Sequence, residues 1–315
     1  MTPILTVTLN PTVDFSTTAE AVAPDRKLRC ARPDTDPGGG GINVSRTITI
    51  LGGHSTAFVA VGGPMGDKLV HLLTDAGIGI APFPAPGETR LSFSVHEEAE
   101  GQQYRFVMPG PDWPRKSVNA ALARIARAAP RGGLVVLSGS QPPGVPDDFP
   151  AHLAARIRRT GAQLVLDTSG KALHHLFKAG AAPVHVLRMD DEEAEELAGR
   201  PLTTRADSAD FAQSLVTRKV AKIVIVARGA DGSVLATADG RWHAAAAKVQ
   251  VVSKVGAGDS FVGAFTLALA RGEAPERALQ KGAAAASSAV TSAATQLCRA
   301  ADVRRLTPLC ALSRV

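Results

Sequence analysis

Short apolar runs alternate with stretches of helical apolar spacing along most of the chain. Residues 134–137 and 163–166 are typical of buried strands, and residues 148–159 between them have helical spacing. The alternation continues to residue 226. Alternating strands and helices predict an α/β fold, in which helices cover both faces of a mostly parallel sheet and so form three layers.

Two segments in the N-terminal third break this alternation. They predict short strands that do not belong to the parallel sheet, at 13–17, 27–32, 90–96 and 103–107. We expect these strands to form a small separate sheet, built from about residues 12–36 and 88–109. Such a sheet would act as a lid over the carboxyl ends of the parallel strands.

Composition narrows the classes of function. The 315 residues carry a net charge of +6 but only 4% aromatic residues, and the arginines are scattered. The low aromatic content argues against binding of single-stranded nucleic acid. We expect most of the arginines on solvated helix faces, and an anionic small-molecule substrate would explain a few of them. The three cysteines have no C-x-x-C spacing, so neither a zinc site nor a disulfide framework is indicated. With no basic leader and no apolar run of membrane-spanning length, we expect a cytoplasmic protein without nucleic-acid or membrane partners.

A glycine-rich turn, Val255-Gly256-Ala257-Gly258-Asp259-Ser260, precedes an apolar helical run. The first amides of a helix lack intrahelical partners and the helix dipole adds positive potential, so this turn is a candidate anion hole. The Asp259 carboxylate beside it suits phosphoryl transfer onto a hydroxyl. Asp259 would take the hydroxyl proton while the amides of residues 256–258 stabilise the transferring group. A plain capped helix start explains the same residues equally well.

A second glycine run, Gly38 to Gly41, precedes another predicted helix and is followed by Asn43. The run lets a ligand contact the backbone, and Asn43 could bind sugar hydroxyls from the first helical turn. Asp14, in the first lid segment, could accept hydrogen bonds from two sugar hydroxyls. Taken singly, the run could also be a hinge and Asp14 a turn residue.

Three cations, Lys27, Arg90 and Arg105, fall in the predicted lid strands. A substrate phosphate would explain inward-facing positive charges, and arginine binds phosphate in a bidentate manner. Surface ion pairs are the alternative for each of them. Ser140 follows a central strand, at the edge where ligands of open α/β sheets bind.

An acidic segment, Asp190 to Glu193, follows a further predicted strand. It could hold Mg²⁺ through water near a nucleotide phosphate, or form an ordinary acidic helix start. Neither the G-x-x-x-x-G-K-[ST] loop nor the protein-kinase motifs occur, which argues against those two phosphoryl-transfer folds.

Together, Pro37-Gly-Gly-Gly-Gly-Ile-Asn-Val44 and Val255-Gly-Ala-Gly-Asp-Ser260 resemble the two signatures of the ribokinase-like (PfkB) sugar kinases. The resemblance runs from Thr8 to Cys298 and covers nearly the whole chain. Within the family, three segments look most like the bacterial 6-phosphofructokinases of ribokinase type. These are Lys27 to Cys30, Gln103 to Gly110 and Ser138 to Val145.

The resemblance implies one kinase domain over residues 1–315, with a ribokinase-like α/β/α core and a β-sheet lid that also forms a homodimer. It implies ATP-dependent phosphorylation of D-fructose 6-phosphate to fructose 1,6-bisphosphate, with Asp259 as general base, Mg²⁺ as cofactor and K⁺ as a further candidate cation. The implied sugar-phosphate contacts are Asp14, Lys27, Gly39, Gly40, Asn43, Arg90, Arg105 and Ser140. The implied anion-hole and nucleotide contacts are Gly256, Ala257, Gly258, Arg188, Asp190, Ala227, Gly229 and Ser253.

Three positions depart from the family pattern. Asp190 replaces the asparagine of the usual Asn-x-x-Glu motif, Arg188 replaces a lysine, and Ala227 replaces a serine. We expect Asp190 and Glu193 to form a water-mediated metal site. The extra negative charge of Asp190 should change the Mg²⁺ dependence, and Arg188 would offset that charge.

The glycine at position 40 bears on the substrate. Relatives that resemble 1-phosphofructokinases and tagatose-6-phosphate kinases usually carry lysine in this glycine run, so Gly40 favours fructose 6-phosphate. Those two activities are the alternatives within the family. Outside it, the departures at Asp190 and Arg188 motivate a sensor of sugar phosphate and nucleotide, and the basic charge alone motivates DNA binding.

Overall fold

The computed structural model describes residues 1–178, 180–292 and 296–315. The sequence pattern also predicts helices over 171–179 and 282–294. The last residues of both, and Thr295 of the family resemblance, lie outside the described residues.

Over residues 134–227, strands and helices alternate as the hydrophobic pattern predicts. The strands of the described residues are β1 (Ile4–Thr8), β2 (Thr12–Ala19), β3 (Asp34–Gly38), β4 (Thr56–Val61), β5 (Gly79–Pro84), β6 (Arg90–Glu97), β7 (Gln103–Val107), β8 (Leu134–Ser138), β9 (Gln163–Asp167), β10 (Val184–Met189), β11 (Ala221–Ala227), β12 (Ser233–Thr237), β13 (Gly240–Ala244) and β14 (Leu312–Arg314). The α-helices are α1 (Gly40–Ile50), α2 (Gly63–Asp75), α3 (Arg115–Ala128), α4 (Phe149–Ile157), α5 (Gly170–His175), α6 (Asp191–Ala198), α7 (Arg205–Thr217), α8 (Ala257–Ala270), α9 (Pro275–Ala289) and α10 (Ala300–Leu306).

Within the described residues, ten strands form a large sheet in the order β14-β13-β12-β11-β10-β9-β8-β1-β4-β5. The neighbours from β11 to β5 are all parallel, and β12 to β14 add an antiparallel edge. This confirms the predicted α/β fold with a mostly parallel sheet. The parallel strands therefore end at a common edge, at Thr8, Ser138, Asp167, Met189 and Ala227.

The central strands are buried on both faces, as parallel sheets covered by helices require. All five residues of β8 are buried, and successive side chains point to opposite faces. Val135 and Leu137 pack into the layer formed by α3, α4, α6 and α7. Leu134 and Val136 pack into the layer of α1, α8, α9 and α10. These two apolar layers fix α1 and α8 beside each other over the sheet.

A second sheet of four strands, in the order β3-β2-β6-β7, contains the lid strands. β2 pairs with β3 in antiparallel and with β6 in parallel orientation. The strand expected over 27–32 is wrong, because the partner of β2 is β3. The register from Thr12–Gly38 to Ser16–Asp34 leaves residues 27–32 beyond the end of the ladder, in an exposed loop.

Within the described ranges, no helix combines the length and the apolar character needed to span a membrane.

Candidate active site

The turn before α8 has the geometry of a helix N-terminus open to an anion. Gly256 is the N-cap, with a left-handed backbone at φ 76° that suits glycine. A Cβ atom at this position would lie 2.9 Å from Leu297 Cδ2. The following amides belong to the first turn of α8, whose N–H groups have no intrahelical acceptors. Positive partial charge is therefore concentrated at residues 256–259.

Asp259 lies in this first turn and is held by α1. Asn43 Nδ2 donates a hydrogen bond of 2.9 Å to Asp259 Oδ2. Burial raises the pKa of Asp259 to about 6, and Asp167 contributes in the same direction, while Asn43, Arg188 and Arg46 oppose the shift. A carboxylate with a pKa near neutrality is suited to accept a proton at physiological pH.

The first glycine run lets Asp14 lie against the backbone that leads into α1. A Cβ atom at Gly38 would lie 2.0 Å from Asp14 Oδ2. Burial raises the pKa of Asp14, and the hydroxyls of Ser92 and Thr12, then Arg90 and Arg105, act in the opposite direction. Gly39 has φ 119° and precedes α1 as its N-cap, where a side chain would also meet Thr8.

Gly40 has a steric reason to be glycine. A Cβ atom at this position would lie 2.4 Å from Ser138 Oγ and 2.6 Å from the amide nitrogen of Gly139. The start of α1 thus packs directly on the turn after β8. The absence of a side chain at position 40 is explained by this contact, so it does not by itself discriminate between sugar phosphates.

A cavity lies between the lid sheet and the edge of the large sheet. It brings together Asp14, Asn43 and Arg105, which the sequence singled out, with the glycine turn before α8. Its lining residues are Asp14, Phe15, Asn43, Arg46, Ser92, Ser94, Arg105, Val255, Gly256 and Leu297. Arg46 and Arg105 supply positive charge, and the hydroxyls and amide supply hydrogen bonds. The cavity is suited to a polar, anionic molecule such as a sugar phosphate.

The predicted lid cations lie in three different environments. Arg105 lies on β7 and lines the cavity. Arg90 starts β6, and its guanidinium donates to Met108 O at 3.1 Å and Asn10 O at 3.2 Å. The sequence predicts Lys27 on a lid strand, and this prediction is wrong. Lys27 is exposed in the loop between β2 and β3.

Ser140 lies beside this cavity rather than in its lining. Its hydroxyl accepts a hydrogen bond of 3.2 Å from Asn10 Nδ2, and it lines a second, more open cavity with Thr168 and Lys171. Arg90 contacts the backbone oxygen of the same Asn10. Asn10 therefore links Ser140 to Arg90.

Arg188 covers the glycine turn from the end of β10. Its Nη1 donates 3.1 Å to Asp167 Oδ1, and its guanidinium lies 3.3–3.5 Å from the point that a Cβ atom of Gly258 would occupy. Burial acts to lower the pKa of Arg188, but Asp167, Glu193 and Asp190 raise it above its ordinary value. A fixed cation therefore stands beside the anion hole.

Asp167 is a site residue that the sequence reading missed. It ends β9, accepts from Ser138 Oγ at 3.0 Å and pairs with Arg188. The available signal was its place, since it directly follows a predicted strand at the edge where Ser138 and Arg188 also lie. Arg46 was missed as well, although it stands one helical turn after Asn43 in α1.

Asp190 and Glu193 form a capping box at the start of α6. Asp190 Oδ1 accepts from the Glu193 amide at 2.8 Å, and Glu193 Oε2 accepts from the Asp190 amide at 2.9 Å. Burial raises the pKa of Glu193. One oxygen of each carboxylate is used in this box. The described residues contain no cluster of three or more metal-ligating side chains.

The other expected nucleotide contacts follow β11 and precede α8. Ala227 ends β11, and Gly229, at φ 53°, opens the short turn that Asp231 closes. Ser253 Oγ accepts from the Val255 amide at 3.2 Å. Val226, one residue before Ala227, pairs with Met189, which follows Arg188 on β10.

Comparison with known proteins agrees with this geometry. The model of the pfkB family carbohydrate kinases matches residues 6–302. The ATP-dependent 6-phosphofructokinase isozyme 2 of Mycobacterium tuberculosis is 38% identical over 308 residues, covering 98% of this chain and 90% of that protein. The isozyme 2 of Escherichia coli is 36% identical over 306 residues, covering 97% and 98%.

The fold comparison gives the same result. The crystal structure of the Escherichia coli phosphofructokinase-2 in complex with fructose-6-phosphate superposes with a TM-score of 0.91 at 35% identity, covering 98% of this chain and 99% of that one. The ribokinase-like fold expected from the motifs is thereby confirmed. A family model that spans nearly the whole chain, relatives of this identity and a shared fold lead to one conclusion: the chain belongs to the pfkB family of carbohydrate kinases.

Proposed function

We propose that the protein transfers the γ-phosphoryl group of ATP to O1 of D-fructose 6-phosphate, giving ADP and fructose 1,6-bisphosphate. The observation that carries this proposal is the position of Asp259. It is held by Asn43 at the start of α8, next to the cavity that contains Asp14 and Arg105. The names of the relatives and the fructose-6-phosphate complex of one of them support the same substrate.

In this mechanism Asp259 accepts the proton of the O1 hydroxyl as O1 attacks the γ-phosphorus. The bond between that phosphorus and the β,γ-bridging oxygen breaks, and ADP leaves. The amides of Gly256, Ala257 and Gly258 stabilise the charge of the transferring group, and Arg188 adds a fixed positive charge beside them. Because Arg188 is paired with Asp167, it is already oriented before ATP binds.

The sugar phosphate would lie in the cavity under the lid. Asp14 and Asn43 would bind sugar hydroxyls, and the backbone of Gly39 and Gly40 would border the ring. Arg105 would bind the 6-phosphate, with Arg90 and Ser140 beside it. Arg90 uses two of its five N–H donors on backbone oxygens, so further donors serve the phosphate. A contact from Lys27 requires its exposed loop to fold toward the cavity.

ATP would lie along the edge formed by Arg188, Asp190, Ala227, Gly229 and Ser253. Asp190 and Glu193 each keep an oxygen outside the capping box, and carboxylate oxygens suit a water-mediated Mg²⁺ ion. Such an ion would supply positive charge that offsets the charge of the ATP phosphates. A K⁺ requirement is supported only by a relative whose structure contains potassium.

The overall proposal is a kinase domain of residues 1–315 that works in the cytoplasm and dimerises through the lid. The lid proper would comprise about residues 12–36 and 88–109, the segments that carry β2, β3, β6 and β7. Because Gly40 is explained by packing, tagatose 6-phosphate and fructose 1-phosphate stay as alternative acceptors at the same site.

The decisive experiment is a coupled ADP-release assay with Mg-ATP against four acceptors. Fructose 6-phosphate should be preferred over tagatose 6-phosphate, fructose 1-phosphate and unphosphorylated fructose. Another preferred phosphate would replace the substrate and keep the mechanism. Binding without turnover of any acceptor would replace the kinase with a sensor of sugar phosphate and nucleotide.

The base is tested by Asp259→Asn, which keeps the size and the contact with Asn43. Turnover should fall at least about a hundredfold, the scale for losing a general base. Fructose 6-phosphate binding by calorimetry should change little, because the cavity under the lid is kept. Near-normal turnover would remove Asp259 from the role of base.

A further inference from the structure

Arg46 connects the lid sheet to the residue that holds Asp259. It lies on α1 with only 18% of its side chain exposed. Its Nη1 donates to Pro37 O and to Asn43 Oδ1, both at 3.2 Å. Its Nη2 donates to Asp36 Oδ1 at 3.2 Å. Asp36 and Pro37 belong to β3, so three contacts fix this guanidinium between the lid and α1.

This contact sets the orientation of the Asn43 amide. A guanidinium can only donate hydrogen bonds, so the amide end that faces Arg46 must be the acceptor Oδ1. The donor Nδ2 is then left to face Asp259, where it bonds the carboxylate at 2.9 Å. Without Arg46 the amide could turn by 180°. Its oxygen would then face Asp259, and that arrangement favours the protonated acid.

The charge of Arg46 acts in the same direction as this orientation. Arg46 lines the cavity and is one of the groups that lower the pKa of Asp259. The other charged groups around Asp259 and the cavity come from four strands. Asp167 on β9 raises its pKa, Arg188 on β10 lowers it, and Asp14 and Arg105 of the lid line the same cavity. Asp36 partly neutralises Arg46 through their ion pair.

We propose that Arg46 is a positioning residue for phosphoryl transfer, which orients the Asn43 amide toward Asp259 and supplies positive charge to it, and that Asp36 of the lid holds Arg46 in place. The inference rests on the proposed function, in which Asp259 is the base. It links the position of the lid to the readiness of the base, because the same guanidinium contacts both.

The first test is the pH dependence of kcat in Arg46→Met, with Arg241→Met as matched control. Arg241 is also paired with an aspartate, Asp210, but on the far antiparallel edge of the sheet. Arg46→Met should lower kcat at pH 6 about fivefold and leave it within about twofold at pH 8.5, because the base must be ionised. The control should follow the wild type at both values.

Two further variants distinguish the loss of the charge and hydrogen-bond donors of Arg46 from a defect in folding. Arg46→Gln keeps a donor but loses the charge, and it serves if Arg46→Met does not fold. Arg46→Gln should also move the acid limb of the pH profile of kcat to higher pH, but by less than Arg46→Met does. Arg46→Lys restores the charge, so its limb should return toward that of the wild type, while the KM for ATP stays within about twofold throughout. Identical limbs in wild type, Arg46→Gln and Arg46→Lys would overturn the proposal.

A second readout does not depend on turnover. Asp259 can be followed by ¹³C NMR in protein labelled at the aspartate carboxyl carbons, with its signal assigned as the one missing in Asp259→Asn. Its titration in the free protein should move to higher pH in Arg46→Gln. An unchanged titration refutes the role of Arg46 even if the assay succeeds. If no acceptor is turned over, the proposed function fails, and this titration still shows whether Arg46 acts on Asp259.

Discussion

Asp190 and Glu193 show how two carboxylates can serve the start of a helix while each keeps one oxygen outside the capping box. Each accepts a hydrogen bond from the other's backbone amide, so the spacing of three residues is first a capping box. Because asparagine caps a helix about as well as aspartate, the family's usual asparagine and the aspartate of this chain are equivalent in this respect. They differ in charge, and this difference bears on the proposed binding of Mg²⁺.

Substitutions at Asp190 should therefore separate helix capping from metal binding. Asp190→Asn should leave the free energy of unfolding nearly unchanged and shift the Mg²⁺ concentration for half-maximal activity. Asp190→Ala should lose about 1 kcal/mol of stability as well. Urea unfolding and Mg²⁺ titration of the rate measure the two effects. Thr204→Ala removes the cap of the corresponding box at α7 and should cost stability alone. If Asn leaves the Mg²⁺ dependence unaltered, Asp190 only caps α6.

The sequence pointed to the residues that stand in motifs but not to the residues that position their side chains. Asp259, Asn43 and Asp14 could be predicted, since each stands in or beside a glycine run or a lid strand. The places of Asp167 and Arg46 marked them as near the site, but their roles could not be predicted, because these come from ion pairs with Arg188 and Asp36, which lie 21 and 10 positions away. Nothing in a local pattern tells which of the many charged residues will meet.

At the scale of elements, the start of α1 depends on close contact with the end of β8. Gly40 leaves no room for a side chain against Ser138 and Gly139. Since α1 carries both Asn43 and Arg46, this contact positions the side chains that face Asp259. A displacement of α1 would therefore change the position of Asn43 relative to Asp259.

A methyl group at position 40 should damage both stability and catalysis. We expect Gly40→Ala to cost roughly 1–3 kcal/mol in urea unfolding, the usual range for overpacking, and to lower kcat. Gly79→Ala is the matched control, because a Cβ atom there would have its nearest contact at an ordinary 3.5 Å. If Gly40→Ala is stable and active, packing does not explain the glycine, and position 40 again bears on the choice of sugar phosphate.

The turn after β11 is fixed by a network around Asp231. Arg205 Nε lies 2.9 and 3.0 Å from its two carboxylate oxygens, and Arg228 Nε lies 3.1 Å from one of them. His243 Nε2 contacts the backbone oxygen of Asp231 at 2.8 Å. The network joins α7, β13 and the turn that contains Gly229, and thereby holds the proposed nucleotide edge.

This network should stabilise the fold above acidic pH. Hydrogen bonding from Arg205, and then from Arg228, lowers the pKa of Asp231 to about 2 against the opposing effect of burial. Its contribution is thus present above the ordinary aspartate pKa and is lost as pH falls toward 2. Asp231→Asn should cost about 1–2 kcal/mol at pH 7, after allowance for partial exposure. Urea unfolding should show this difference narrowing between pH 4 and pH 2.

The control for this prediction is Asp210→Asn. Asp210 also pairs with an arginine, but 65% of its side chain is exposed. Loss of the Asp210 charge should cost well under 1 kcal/mol in the free energy of unfolding. Equal losses for both variants would mean that Asp231 is an ordinary surface carboxylate.

The molecule as a whole leaves apolar side chains exposed at one edge of the lid. Phe106 and Val107 at the end of β7, and Met108 just after it, are 52%, 58% and 36% exposed. β7 is an edge strand of the lid sheet, and an apolar edge of this kind favours pairing with another chain. This supports a homodimer through the lid.

The dimer is tested by Phe106→Asp in light scattering coupled to size exclusion. The wild type should have the mass of a dimer and the variant that of a monomer, because a charge on the lid edge would be buried without a partner. Leu309→Asp places the same charge on another exposed apolar side chain, in the segment after α10, and should remain dimeric. A wild-type monomer, or dissociation of both variants, would rule out this interface.

The overall architecture was far more predictable than its edges. The apolar runs predicted the parallel strands, since β8, β9 and β11 each contain a continuous apolar run and in β10 only His185 interrupts the run from Val184 to Leu187. It did not give β5, whose Pro82 and Pro84 oppose strand formation but are tolerated at the edge of the sheet. Nor did it place β3, which contains two aspartates and a proline and pairs only because β2 lies beside it.

The contact between Asn43 and Asp259 joins positions 216 residues apart, and this matters while the chain is being synthesised. The lid strands and α1 are made first, whereas α8, with its base and its anion hole, follows only after β13. A nascent chain that has not reached the glycine turn before α8 therefore holds the lid side of the cavity but lacks Val255, Gly256 and Leu297 of its lining and the proposed base. An incomplete product released from the ribosome before residue 259 would not waste ATP, however much of its sheet had folded.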